Sequence, residues 1–250
     1  MRLNQYIAHN TQYSRREADR LIQEGRISIN KEIIKNFSLD ITDQKVYLDG
    51  KKIKNKNDYE VIVYNKPKGE IVSKSDDRGR SIIYDTLPKR FKNFTYIGRL
   101  DYASEGLLLL TDNPKIATLL MESKLERTYI LKLSGKINTS VCEAMENGLT
   151  LENAQAGAHK NNKIDKMDFA PFIAYNIIKN DKYSKIKVTI NEGQNRELRR
   201  FFAHFKLEVL DLKRVSFGFV SLNNLPSKKV RFLTHQEYNK LREFLNQSSI

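Results

Sequence analysis

Residues 98–112, Gly-Arg-Leu-Asp-Tyr-Ala-Ser-Glu-Gly-Leu-Leu-Leu-Leu-Thr-Asp, constrain this chain more than any other stretch. The four consecutive leucines at 107–110 have the length and continuity of a strand buried on both faces. The Arg-Leu-Asp triplet ahead of them sits in a short polar loop. Asp101 therefore hangs at the rim of a rigid, water-poor element, with Arg99 and Ser104 beside it. A carboxylate held there is oriented and partly desolvated, as a catalytic Asp must be. Taken alone, such an Asp more often simply terminates a loop.

Charge narrows the partners. With 44 Lys and Arg against 30 Asp and Glu, the chain carries +14. Such an excess points to a polyanion, nucleic acid first and a membrane surface second. Lys, Asn and Ile are all abundant, so an AT-rich genome can account for part of it. No run approaches the ~18 apolar residues of a membrane span, and Met-Arg-Leu-Asn-Gln-Tyr at the start lacks a signal-peptide core. A cytoplasmic protein is expected. Cys142 is the only cysteine, which excludes an internal disulfide and a multi-cysteine zinc site. His9, His159, His204 and His235 are scattered without metal-ligand spacing, so neither a metal nor another cofactor is expected.

Residues 1–60 read as a separable unit. Leu3, Tyr6 and Ile7 recur at helical spacing. Ser14-Arg-Arg-Glu17 is a capping box that opens a second helix. There Ala18, Leu21 and Ile22 share a face, and Arg16 and Arg20 lie one turn apart on the other. Gly25 is placed to end it, and residues 26–30 alternate as a strand with a turn near Lys31. Residues 51–58 are polar, Lys-rich and without period, as a linker is. Residues 1–60 carry 12 basic and 9 acidic side chains, or +3, against 32 and 21, or +11, in the remaining 190. The larger part should therefore bind a polyanion itself.

Beyond the linker, strands and helices alternate irregularly. Residues 60–65 predict a strand leading into Lys66-Pro-Lys-Gly69, a turn with exposed cations. Asn113 and Pro114 suit a helix N-cap and first position, with Ala117, Leu120 and Met121 as the apolar face. Residues 128–134 and 185–191 alternate as strands, with Ile186, Val188 and Ile190 on one side and Lys185, Lys187 and Thr189 on the other. Residues 152–183 lack clear period and read as a long excursion with one strand. Thr234-His-Gln-Glu237 is a second capping box, starting a helix that turns Tyr238, Leu241 and Leu245 inward. The pattern predicts an α+β protein with a mixed, largely antiparallel sheet.

A second chemical motif is Glu192-Gly-Gln-Asn-Arg-Glu-Leu-Arg-Arg-Phe-Phe202, which follows a strand and opens a helix. Leu198, Phe201, Phe202 and Phe205 form its buried face. Arg196 and Arg200 fall opposite, as a solvated basic face would, whereas Arg199 falls on the flank, where a guanidinium can be partly buried and reach across a cleft.

These strings together resemble pseudouridine synthases of the RsuA/RluB type. In that family the pattern Gly-Arg-Leu-Asp, two variable residues, Ser or Thr, a variable residue and Gly-Leu carries the essential Asp, which Asp101 matches. Glu192 to Phe202 is similar to the family's Glu-Gly-Arg-x-Arg-Gln-Val-Arg-Arg-Met-Phe, so Arg199 corresponds to the cation that pairs with the catalytic carboxylate. Gln194 replaces an Arg, which implies one RNA contact fewer. Glu126-Arg-Thr-Tyr129 resembles the family's Glu-Lys-x-Tyr, whose Tyr stacks on the target base. Lys66, Pro67 and Gly69 match its Asn-Lys-Pro-x-Gly.

Ser14-Arg-Arg-Glu-Ala-Asp19 and Gly25-Arg-Ile-Ser-Ile-Asn30 resemble the S4 RNA-binding domain, a small α+β module with a basic face. Lys31 stands where a turn Gly is usual. The resemblance implies an S4-like domain over residues 1–56 and a synthase domain over 57–250. It further implies a monomeric enzyme that isomerises a uridine of ribosomal RNA, with Asp101, Tyr129 and Arg199 catalytic. Arg15, Arg16, Arg20, Arg26, Lys66, Arg99, Arg196 and Arg200 are the expected RNA contacts, Arg99 entering the space a flipped base vacates. Residues 69–81 and Asn195-Arg196 favour large-subunit (23S) RNA. A small-subunit (16S) enzyme and a catalytically silent S4-type assembly factor are the competing readings.

Overall fold

The computed structural model of the protein describes residues 2–42, 44–53, 59–152, 155, 157 and 166–247. Helices Leu3–Asn10 (α1) and Arg15–Gln23 (α2) open the chain. The first capping box is closed: Glu17 N–H donates to Ser14 Oγ at 3.3 Å, and Ser14 N–H to the Glu17 carboxylate at 2.7 Å. Strands Ile27–Ile29 (β1), Glu32–Ile33 (β2), Val46–Leu48 (β3) and Lys51–Lys52 (β4) form an antiparallel sheet in the order β2-β1-β3-β4. Leu3, Ile7, Ala18, Ile22, Ile27 and Val46 make its separate core. The β1–β2 turn holds Asn30 and Lys31 at φ 50° and 73°. Both central residues are thus left-handed, as a two-residue hairpin loop demands, with Lys31 where Gly would carry no strain. The expected linker starts late, because Lys51 and Lys52 pair with Leu48 and Tyr47 and Ile53 is buried. Residues 54–58, and with them the expected boundary, lie outside the described residues.

The second unit runs Val61–Lys66 (β5), Ile83–Thr86 (α3), Thr95–Ile97 (β6), Glu105–Thr111 (β7), Pro114–Glu122 (α4), Arg127–Leu133 (β8), Thr139–Asn147 (α5), Leu149–Leu151 (β9) and Met167–Phe169 (β10). It continues through Ala174–Asn180 (β11), Ser184–Ile190 (β12), Glu197–His204 (α6), Val209–Phe217 (β13), Val220–Ser221 (β14), Val230–Phe232 (β15) and His235–Gln247 (α7). The main sheet follows the order β11-β12-β8-β13-β7-β5-β15, with β6 and β14 attached to β7 and β13. Its β7–β13 pair is parallel and the other named pairs are antiparallel, which makes the mixed, largely antiparallel sheet of an α+β protein.

The leucine run is the centre of this sheet. Leu108 and Leu110 enter one core with Tyr64, Leu131, Val188 and Phe201. Leu107 and Leu109 enter the other with Val61, Val63 and residues of α4 and α7. Gly106 precedes them at φ 106°, and a Cβ there would strike the Arg214 backbone. The close parallel approach of β7 and β13 therefore requires glycine.

Two expectations are corrected. Met121 is exposed and lies at a cleft edge, while Ile116, Ala117 and Leu120 form the buried stripe of α4. The 152–183 excursion holds two strands among its described residues: β10 pairs with β9, and β11 runs along β12 as an edge strand. A bulge between Ile177 and Lys179 breaks the alternation that would have revealed β11. Among the described residues no helix is long and apolar enough to cross a membrane.

Candidate active site

The 98–104 loop, the first residues of β8, the loop between β12 and α6, and β13 enclose a cleft of about 1140 Å³. Asp101, Tyr129, Arg99, Arg196 and Arg199 all line it. The Asp101 carboxylate is one-third exposed, and its Oδ2 lies 3.2 Å from Arg196 Nη1 and 3.5 Å from Arg199 Nε. Two guanidiniums from the start of α6 thus grip one carboxylate oxygen across the cleft.

Arg199 is positioned from several sides. Its Nη1 donates to the Val209 carbonyl at 2.8 Å, and its Nη2 to Ser104 Oγ at 3.2 Å and the Ala103 carbonyl at 3.4 Å. It is only 9% exposed, and burial depresses its pKa while Asp101 opposes that shift. The flank placement expected for it holds.

Arg196 and Arg200 do not form the solvated face the helical wheel suggested. Regular helix begins only at Glu197, so Arg196 is the N-cap, left-handed at φ 53°, with its Nε on the Gly157 carbonyl at 2.7 Å. That geometry turns its guanidinium inward to Asp101. Arg200 is fully buried and donates to Asn195 Oδ1 at 3.1 Å. Gly157 sits so close over Arg199 and Arg200 that a Cβ there would strike their backbone. Arg200 is thus inside the protein and not on the solvated face expected of it.

Lys66 is also corrected: it is fully buried, not an exposed cation of a turn. Its Nζ donates to the carbonyls of Pro67 at 2.9 Å, Asp101 at 3.1 Å and Ser104 at 2.8 Å. All three ammonium protons are used, and desolvation lowers its pKa to about 8. Ser104 N–H closes the same turn on the Asp101 carbonyl at 3.0 Å. Asp101 therefore sits on a loop braced from below by Lys66 and from the side by Arg199.

Tyr129 is almost buried, its ring continuous with the main core and one surface at the cleft. Arg99 is exposed at the rim. In the first unit Arg15, Arg16 and Arg20 are exposed on α2, while Arg26 makes two hydrogen bonds to Asp49, at 3.0 and 2.6 Å.

Sequence reasoning missed Arg127, Arg214 and Glu197, which are buried in the cleft wall. Arg127 donates to the Asn191 carbonyl at 2.8 Å and lies 4.9 Å from the Phe217 ring centre. Arg214 Nε donates to the Leu107 carbonyl at 2.7 Å. Glu197 accepts the Gln194 N–H at 2.9 Å, and burial pushes its carboxyl up to about 7. A signal for Arg127 existed: it stands two residues before Tyr129, on the same strand face.

A carboxylate clamped by cations in an arginine-lined cleft suits a polyanionic ligand such as RNA. The chain belongs to the RNA pseudouridine synthases of the RluB/RsuA type, which are isomerases. The RNA pseudouridylate synthase family model matches residues 60–204, and the S4 domain model residues 1–40. An uncharacterized RNA pseudouridine synthase of Helicobacter pylori is 52% identical, covering 98% of this chain and 95% of its own. Ribosomal large subunit pseudouridine synthase B of Bacillus subtilis is 33% identical, over 96% of this chain and 95% of its own. The crystal structure of a pseudouridylate synthase superposes with a TM-score of 0.64 at 26% identity, over 96% of this chain and 99% of that one.

Proposed function

We infer that the protein converts one uridine of large-subunit ribosomal RNA to pseudouridine. The observation that carries this reading is the Asp101 carboxylate held by Arg196 and Arg199 at the rim of the cleft. The large-subunit assignment is supported by the name of the Bacillus subtilis relative and by the local strings at 69–81 and 195–196. Residues 1–56 serve as the RNA-gripping unit and 57–250 as the catalytic one, in a cytoplasmic monomer.

The target uridine leaves its stack to enter the cleft, at a cost of a few kcal/mol that contacts to the flipped base offset. Arg99, exposed at the rim, takes the vacated space. Asp101 then acts on the nucleotide, either as nucleophile at the sugar C1′ or as base at C2′. The N1–C1′ bond breaks, the uracil turns within the cleft, and a C5–C1′ bond forms. C5 loses its proton and N1 gains one, so atoms balance without a co-reactant. Tyr129 supplies a flat surface for the loosened base, and Arg199 keeps the carboxylate oriented.

Mapping pseudouridine in both ribosomal RNAs from cells with and without the gene tests this directly. Loss of one pseudouridine from the large-subunit RNA is the expected result. Loss confined to the small-subunit RNA overturns the branch assignment, and no loss in either favours a silent assembly factor.

A further inference from the structure

The strands that carry the cleft present lysines on their other side. In β8 the residues Arg127, Tyr129 and Leu131 face the cleft and core, and Lys132 is exposed on the reverse. In β12, Ile186, Val188 and Ile190 are buried, while Lys185 and Lys187 are exposed. Register places Lys179, Lys185 and Lys132 directly opposite one another across β11, β12 and β8. A second row sets Lys187 and Lys213 on either side of Ile130. Rows are about 5 Å from strand to strand and about 7 Å along each strand.

Counter-charges on this face are few: Glu105 stands beside half-buried Lys213 in the β7–β13 register, and Asp211 beside Lys132 in the β13–β8 register. Asp211 is taken by Lys68, and Asp181 by Lys179 at 3.3 Å. Among the described residues Lys132, Lys185, Lys187 and Lys213 form no ion pair. Half-exposed Tyr183, in the β11–β12 turn, has Lys132 Nζ 5.0 Å and Lys182 Nζ 5.9 Å from its ring centre. Over β5 and β7 this side of the sheet is covered by α4 and α7. Over β8 and β12 the lysines stay exposed. Like charges directly opposite each other destabilise a sheet unless an anion lies between them.

We propose that this lysine face is a second RNA-docking surface, gripping the phosphate backbone of a ribosomal RNA duplex while the cleft on the opposite side takes the target uridine. The proposal rests on the ribosomal RNA reading above. Side chains on an exposed sheet face cannot reach base edges in the deep, narrow major groove of A-form RNA, but they can meet phosphates across the shallow minor groove. Such contacts set position and not letter sequence.

The test uses the full chain with Lys132, Lys185, Lys187 and Lys213 all changed to Gln. A control carries Lys89→Gln, Lys92→Gln, Lys115→Gln and Lys240→Gln, which removes equal charge elsewhere. The probes are a blunt RNA duplex of about 16–20 base pairs and a short uridine-containing single strand. Kd is measured against salt. The face variant should lower the log–log salt slope for the duplex by roughly 3, at about 0.7–0.9 per lost contact. The control should change it far less, and single-strand binding should stay within about twofold.

Replacing the same four lysines by Arg should restore the slope and shows that the fold tolerates substitution there. An unchanged duplex slope, an equal loss in the control, or an equal loss on the single strand overturns the proposal. So does binding to anionic phospholipid vesicles that the four Gln changes abolish while duplex binding persists. If wild-type protein isomerises no ribosomal transcript, the uridine reaction fails, yet the duplex comparison still decides the lysine face.

Discussion

Lys66 Nζ donates to the main-chain carbonyl of Asp101 across 3.1 Å, although 35 residues separate them in sequence. The same ammonium holds Ser104 and Pro67, so the last residue of β5 sets the height of the loop that carries the carboxylate. Lys66→Met keeps the volume and takes the ammonium donor from three carbonyls, of which that of Asp101 keeps the Ser104 N–H. It should cost about 2–4 kcal/mol of stability and lower kcat at least tenfold. Denaturant unfolding and single-turnover assays check the two effects separately. A stable variant with wild-type kcat would show that Lys66 does not position Asp101.

Asp101→Asn preserves shape and removes both negative charge and basicity. Turnover of uridine-labelled RNA should fall by roughly 10³-fold or more, while RNA affinity stays within a few-fold. Retained turnover in tritium-release assays would move the catalytic role to another residue.

Arg199 and Arg200 are neighbours with opposite expected phenotypes. Arg199→Leu removes the Asp101 ion pair and the bonds to Val209, Ala103 and Ser104, so kcat should fall by about 10²–10³. Arg200→Ala empties a fully buried site away from the cleft, so it should lower thermal stability and leave kcat per folded molecule nearly unchanged. Kinetics corrected for folded fraction distinguish them, and identical profiles would refute the division of roles.

Tyr129→Phe should keep the ring surface against the base, whereas Tyr129→Ala should lose it. Phe close to wild type with Ala reduced about 10²-fold would assign the residue to stacking worth ~1–3 kcal/mol. Equal loss in both would assign the hydroxyl to proton transfer, and equal wild-type rates would leave Tyr129 as ordinary core.

Glu197 makes stability depend on pH in a defined direction. Its folded carboxyl titrates at about 7, above the ordinary 4.5, because burial penalises the charge. Between these values the folded state holds a proton that the unfolded chain has lost. Its stabilising contribution is complete below pH 4.5 and is lost as pH rises through 7. Glu197→Gln keeps an acceptor for the Gln194 N–H and removes the titration. The variant should be more stable than wild type at pH 8, by on the order of 3 kcal/mol, with no advantage near pH 4. Urea unfolding at both pH values tests this, and an advantage independent of pH would count against the assignment.

Local order was legible in the sequence. Residues 107–110 read as a doubly buried strand and form one, and both capping boxes form as their spacing requires, Glu237 closing on Thr234 at 2.8 and 3.2 Å. The resemblance brought Asp101, Tyr129 and Arg199 to one site, and all three line one cleft. What failed were judgements about long cations. Lys66, Arg196 and Arg200 all read as solvated, yet one is a buried strut, one a left-handed cap turned onto Asp101, and one a fully buried side chain. Arg127 and Glu197 stood inside motifs without a role of their own, Lys185 and Lys187 showed only as one side of a strand, and Arg214 and Lys213 carried no motif. Periodicity reports which residues share a face, because that follows from the backbone repeat of a single element. Whether a charged residue on that face meets water, a carbonyl or another charge depends on chain segments distant in sequence, and only the assembled sheet brings those segments together.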